Sequence, residues 1–172
     1  VGAAKMTGRM ADGTSVALLN AVTRRENASV VTADGTRLVQ EVAPLANYFV
    51  GRLKRDFRDG DVVVGGVFSS VYRDFDDPAL AGLMSRHAEV GGVDADIWWG
   101  ARTYRLMAKV AVSQVAGEPE AIRRQQRSSA RYFQRPDRES STGGFFSNGW
   151  DPDATMLRGY GAYARLAKDA GD

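Results

Sequence analysis

Asp-Gly occurs at Asp12-Gly13, Asp34-Gly35 and Asp59-Gly60, each time between segments whose side chains alternate. The dipeptide supplies two residues that tolerate positive φ, as a two-residue type I′ hairpin turn requires. Each therefore predicts a strand pair and its register. Folding about Asp12-Gly13 sets Ala4, Met6, Gly8 and Met10 beside Ala21, Leu19, Ala17 and Ser15, and sets Lys5, Thr7 and Arg9 beside Asn20, Leu18 and Val16. Folding about Asp59-Gly60 sets Phe57, Leu53, Gly51 and Phe49 beside Val62, Gly66, Phe68 and Ser70, while Asp56, Lys54 and Arg52 share the other face with Val63, Gly65 and Val67. One face is largely apolar and the other carries the charges, so turn and hydrophobicity ask for the same register.

The rest of the chain fits many strands joined by tight turns: 19 Gly against 5 Pro in 172 residues, with no low-complexity tract. The predicted class is all-β, an antiparallel meander with short helices in loops. Strand-like stretches fall at Gly2 to Met10, Ser15 to Thr23, Asn27 to Thr32, Arg37 to Val42, Asn47 to Phe57, Asp61 to Arg73, Val93 to Gly100, Tyr104 to Ser113, Arg131 to Gln134 and Thr155 to Lys168. Asp77-Pro78 offers an N-cap with Pro at the first helical position, predicting a short helix over Ala79 to His87, and Glu118 to Ser129 reads as a second, polar helix. Arg135-Pro136-Asp137 and Glu139 to Gly144 read as a turn-rich connection, with Asn148-Gly149 a weaker hairpin candidate. The chain opens at Val1 on a strand-like pattern and ends at Gly171-Asp172 where another turn would begin, so residues 1–172 are expected to be one partial domain of a longer protein.

Several function classes are disfavoured. With 23 basic and 21 acidic side chains there is no basic footprint, and nucleic acid is not an expected partner. Cysteine is absent, which removes disulfides, thiolate metal sites and cysteine nucleophiles. No apolar run approaches the roughly 18 residues of a membrane helix, although a membrane β-strand needs only about 9 to 11 alternating ones. The segment Tyr104, Leu106, Ala108, Val110, Val112 against Arg105, Met107, Lys109, Ala111, Ser113 fits two environments. The first set faces either a soluble core or lipid, and the second faces either bulk water or a polar lumen. Long strands, an outward set rich in Ala, Gly and Val, and aromatics near strand ends (Tyr48, Phe49, Tyr72, Trp98, Trp99, Tyr104) lean towards the membrane.

Catalytic chemistry finds little support. His87 would sit at the end of the first helix, where the helix dipole explains it. Carboxylates group at Asp74, Asp76 and Asp77, at Asp94 and Asp96, and at Asp151 and Asp153, without calcium-loop spacing, and read first as solvated turns and caps. No nucleophile elbow, phosphate-cradling loop or zinc-capable histidine pair is present; catalytic residues, metal and cofactor are all expected to be none. Lys5, Arg9, Arg52, Lys54, Arg73, Arg105 and Lys109 can share the polar face, either as a row lining a lumen or, placed first, as partners of acids such as Asp56 and Glu41. Trp98, Trp99 and Tyr104 are candidate sugar-stacking or girdle aromatics, and only one of the adjacent tryptophans can serve a given surface.

Gly2-Ala3-Ala4-Lys5-Met6-Thr7-Gly8-Arg9, Leu19-Asn20-Ala21-Val22-Thr23, and Asn47-Tyr48-Phe49-Val50-Gly51-Arg52 with Arg55-Asp56 resemble an uncharacterised domain that follows a family-9-like carbohydrate-binding module in large Gram-negative proteins. Gly65-Gly66 with Tyr72-Arg73, Gly92-Val93-Asp94 and the stretch from Ser128 to Asp137 are similar to the same family. The resemblance implies an outer-membrane-type β-barrel to which this chain gives an internal set of strands. It implies a lipid bilayer as partner, the cell outer membrane as location, and polysaccharide contact through a module that this chain does not contain. Relatives are sometimes labelled hydrolases through that module, and no catalytic residues carry over. The expected function is a segment of an outer-membrane β-barrel surface protein associated with carbohydrate binding or processing. The alternative is a soluble β-sheet carbohydrate-active domain, a glycoside hydrolase or lectin-like fold using Asp94, Asp96 or Asp151. A third reading is a structural scaffold presenting the loops at residues 74 to 92 and 114 to 155.

Overall fold

The computed structural model describes residues 1–131, 133–134, 145 and 149–169. Arg135-Pro136-Asp137, Glu139 to Gly144 and Asn148 lie outside the described residues. The strands are β1 (Gly2–Arg9), β2 (Thr14–Thr23), β3 (Glu26–Val31), β4 (Arg37–Ala43), β5 (Leu45–Phe57), β6 (Val62–Asp74), β7 (His87–Trp99), β8 (Tyr104–Ala116) and β9 (Met156–Lys168), with helices α1 (Pro78–Ala81) and α2 (Pro119–Gln126). Seven strands form one antiparallel sheet in the order β1-β2-β5-β6-β7-β8-β9, and β3 and β4 form a separate two-stranded ribbon. The all-β class therefore holds. The seven-stranded sheet is open, with β1 and β9 at its edges.

The turns realise the Asp-Gly signal in two ways. At Asp59-Gly60 both residues are left-handed (φ 55° and 87°), as is Arg58 (φ 51°), and the Asp61 N–H donates to Arg58 C=O at 3.1 Å; the connection 58–61 keeps the anticipated register, Phe57 opposite Val62 and Leu53 opposite Gly66. Asp12-Gly13 differs. The loop has three residues, with Met10 N donating to Thr14 O at 2.7 Å and only Gly13 (φ 82°) left-handed. Gly8 consequently pairs with Val16 and Lys5 with Leu19, one residue away from the two-residue register. Lys5, Thr7 and Arg9 thus share a face with Ser15, Ala17 and Leu19, because a slip of one reverses the side chains of the partner strand. The cause lies in the local chemistry: the Asp12 carboxylate accepts the Thr14 N–H at 3.1 Å, holding Asp12 in a turn that leaves Gly13 as a bulge. Asp34 does the same for Thr36 at 3.2 Å, and Val31 pairs with Arg37.

Elsewhere the boundaries shift. The first helix is only Pro78–Ala81, capped by Asp77, whose Oδ1 accepts the Ala79 N–H at 2.8 Å. His87 is therefore the first residue of β7, not a helix end, and its ring stacks on Tyr72. The strand expected over Arg131 to Gln134 does not form; Arg131, Phe133 and Gln134 are in turns, with Arg131 N bonded to Ser128 O and Phe133 N to Gln126 O after α2.

The two ends of the sheet are unequal. Tight turns at 10–13, 58–61 and 100–103 close one end, while residues 24–44, 75–86 and 117–155 form long connections at the other. The small core belongs to the long-loop end: the buried Ala46, Ala81, Ala116, Ala121 and Ile122 lie in the two helices and at the long-loop ends of β5 and β8. Among the described residues, no second layer covers most of the sheet. Leu53, Val93, Val110, Tyr160 and Leu166 are 54%, 62%, 51%, 71% and 70% exposed.

Candidate functional site

Alternation along seven long strands sorts their side chains onto two faces of different chemistry. On one face the residue row Arg9, Ser15, Lys54, Gly65, Asp94, Lys109, Tyr163 runs across every strand of the sheet. Beside it towards the tight turns lie Asp56, Val63, Asp96, Met107 and Arg165, then Trp98 and Arg105. Lys5 and Arg73 are on this face too, further towards the long loops. All the basic residues singled out from the sequence thus share one face, though not as a bare row.

The face is cross-linked by ion pairs. Arg52 holds Asp94 through two bonds, Nη1 to Oδ1 at 2.5 Å and Nη2 to Oδ2 at 2.8 Å. Arg105 holds Asp96 the same way, Nε to Oδ1 at 2.9 Å and Nη2 to Oδ2 at 2.5 Å. Asp56 accepts from Arg9 at 2.9 Å and lies 3.5 Å from Lys54. Bidentate guanidinium–carboxylate pairs are stronger and more oriented than single contacts. Asp94 and Asp96 are therefore mid-strand members of a network, not the turn or cap residues that their spacing suggested. A Cβ on Gly65 would come within 2.7 Å of Arg52 Nη2 and 3.1 Å of Asp94 Oδ1, so the Arg52–Asp94 bridge crosses the sheet over the bare glycine. Arg73 is separate, bonding Ser85 O at 3.0 Å. Lys5, Lys109 and Arg165 have no ion-pair partner among the described residues. Arg165 was missed in the sequence because no turn dipeptide ties β9 to β8.

The opposite face is largely apolar between two aromatic levels. From Trp99 and Tyr104, whose rings stack at 5.7 Å, to Phe68 and Tyr160 the strands advance eight residues, about 26 Å at ~3.3 Å per residue. Phe57 and Phe49 repeat that spacing on β5. Between the two aromatic levels stand Leu53, Val64, Gly66, Val93, Ala95, Ile97, Leu106, Ala108, Val110, Ala162, Ala164 and Leu166. Arg55 is the charged side chain in this zone, lying over the Phe57 ring at 5.0 Å and 3.7 Å from Asp12. Trp98, one residue from Trp99, faces the charges and lies under the Arg105 guanidinium at 4.7 Å.

Outside the sheet, the β3–β4 ribbon is tied to the β6–β7 connection. The buried Glu41 carboxylate accepts Arg25 Nε at 3.0 Å and the backbone N–H groups of Asp76 and Asp77 at 2.9 and 2.7 Å. Arg25 also reaches Asp74 at 3.0 Å and Asp76 at 2.6 Å. Burial raises the Glu41 pKa, but the two backbone donors and Arg25 together outweigh it and hold the group below its ordinary 4.5. Asp151 plays the role expected of it, capping a turn by accepting the Asp153 N–H at 3.0 Å. No group of His, Cys, Asp and Glu able to hold a metal occurs among the described residues.

Residues 1–143 match the protein family described as Domain of unknown function (DUF5916). The chain belongs to this family. No curated protein and no solved structure matches it. Membership in DUF5916 bears out the expectation of an uncharacterised domain family, and the family's description assigns no reaction to the charged face.

Proposed function

We propose that this DUF5916 chain forms part of the wall of an outer-membrane-type β-barrel, its apolar face against lipid and its charged face against a wet interior. The observation that carries this reading is the bare sheet. A sheet in a water-soluble domain buries its apolar face against a second layer, whereas here, among the described residues, that face is open between two aromatic levels. Their separation, about 26 Å along the strands and about 20 Å after a ~40° tilt, is close to the roughly 25 Å apolar band of membrane barrels flanked by aromatic girdles. Tight turns at one end and long connections at the other match the short periplasmic turns and longer outer loops of that architecture. No helix among the described residues is long and apolar enough to cross a membrane, so any crossing would use strands. An association with carbohydrate binding or processing at the cell surface rests on the family resemblance alone and is part of the proposal. Of the carboxylates that a glycosidase reading would use, Asp94 and Asp96 are each occupied by a guanidinium, and Asp151 accepts the Asp153 N–H in a turn.

Neighbouring positions on β8 provide the test, since the chain has no cysteine of its own. In the full-length protein, fractionated with membranes and freed of other cysteines, Lys109→Cys is expected to react with a membrane-impermeant thiol reagent and Ala108→Cys to be protected. Equal labelling at both positions, or a parent that stays in the aqueous fraction, would overturn the reading.

A further inference from the structure

We infer that the charged face is an anion-attracting strip, so that the interior it lines admits small anions in preference to cations. This rests on the membrane-barrel reading and adds a substrate class to it. The argument concerns which charges are already neutralised. Every carboxylate of the central belt is engaged: Asp94 by Arg52, Asp96 by Arg105, and Asp56 by Arg9 and Lys54. Lys5, Lys109 and Arg165 lie on the same face, each without an ion-pair partner among the described residues. The residual field is therefore positive. Room for it is built into the sheet, because the neighbouring row is Thr7, Ala17, Val67, Gly92, Ala111 and Gly161 around Arg52, and such small side chains leave the basic arms extended over open space. Rings and rows of Arg and Lys select anions by this electrostatic route, and low-dielectric walls strengthen it.

Planar lipid bilayers holding the full-length protein across a KCl gradient give the readout, because potassium and chloride have nearly equal mobility in bulk. The expected result is a chloride-to-potassium permeability ratio above one. It should fall roughly twofold or more in the triple variant Lys5→Gln, Lys109→Gln, Arg165→Gln, which removes charge without breaking an ion pair. Asp94→Asn, which releases Arg52, should move the ratio the other way. A conducting protein that prefers potassium, or whose ratio ignores the triple variant, would overturn the anion strip while leaving the barrel in place. A protein that inserts into liposomes without conducting would overturn the passage but not the membrane wall. Failure to insert at all would sink both readings.

Discussion

At the residue scale, Gly65 shows how a missing side chain can be a structural part. Replacing glycine by alanine in a strand ordinarily gains about 0.5–1 kcal/mol, since glycine has more backbone entropy to lose. That gain is expected at Gly161, where an added Cβ meets nothing within 4 Å. At Gly65 the sign should reverse, because the new methyl would sit 2.7 Å from Arg52 Nη2 and displace the bridge to Asp94. The pair is partly open to solvent, with 37% of the Arg52 side chain exposed, so the net loss is set at about 1 kcal/mol. Thermal unfolding in detergent, followed by loss of the β-sheet circular dichroism signal, should place Gly65→Ala below the parent and Gly161→Ala at or above it. Restored stability in Gly65→Ala on adding Arg52→Ala would identify the clash as the cause; no difference between the two glycine variants would refute it. The basic residues were legible in the sequence because parity along a strand alone assigns them a face. Their partners were less so: Asp94 and Asp96 lie among valine, alanine and isoleucine in the chain, and only the β5–β6–β7–β8 register, with Arg52 reaching Asp94 across Gly65 and Arg105 reaching Asp96, reveals what they bind.

At the element scale, the difference between the turns explains what sequence patterning can and cannot deliver. Asp59-Gly60, followed by Asp61, keeps the register centred on the dipeptide, while Asp12-Gly13 and Asp34-Gly35 are each followed by a threonine whose N–H the aspartate accepts. That hydrogen bond accompanies a three-residue loop and a register shifted by one at both threonine-followed dipeptides. The β3–β4 ribbon was legible as a hairpin, but its docking was not, since Glu41 meets Asp76 and Asp77 only through the fold. The latch should be acid-sensitive. Glu41 has a folded pKa depressed below 4.5, so its stabilising contribution is fully present above the unfolded value and is lost as pH falls through the folded one. Hydrogen exchange should therefore show protected amides at Asp76 and Asp77 at neutral pH and protection factors that fall as the pH is lowered past 4.5. Glu41→Gln should expose both amides at every pH, at a cost of roughly 1–3 kcal/mol for the hydrogen bonds to a charged acceptor. Protection that persists in Glu41→Gln would show that other contacts hold the ribbon.

At the scale of the whole molecule, the open sheet imposes the strongest condition. Among the described residues β1 and β9 each pair on one side only, so each presents a row of outward N–H and C=O groups. In water such edges invite aggregation, and in hydrocarbon each unpaired group costs several kcal/mol, which is why membrane sheets close. On the proposed membrane reading the same condition follows from the two faces, because lipid on one side and water on the other would coexist only across a continuous wall. Further strands, from the same polypeptide or a second copy, are thus expected to pair with both edges. Hydrogen exchange can separate the cases. In the full-length protein within lipid, the amides of β1 and β9 that point away from β2 and β8 should be as protected as those of β6 in the middle of the sheet. In residues 1–172 expressed alone they should exchange rapidly, and the segment should self-associate in size-exclusion chromatography. If those outward amides exchange freely in the lipid-embedded parent, the sheet ends where β1 and β9 end, and a closed barrel wall is refuted by the strands that would have to join it.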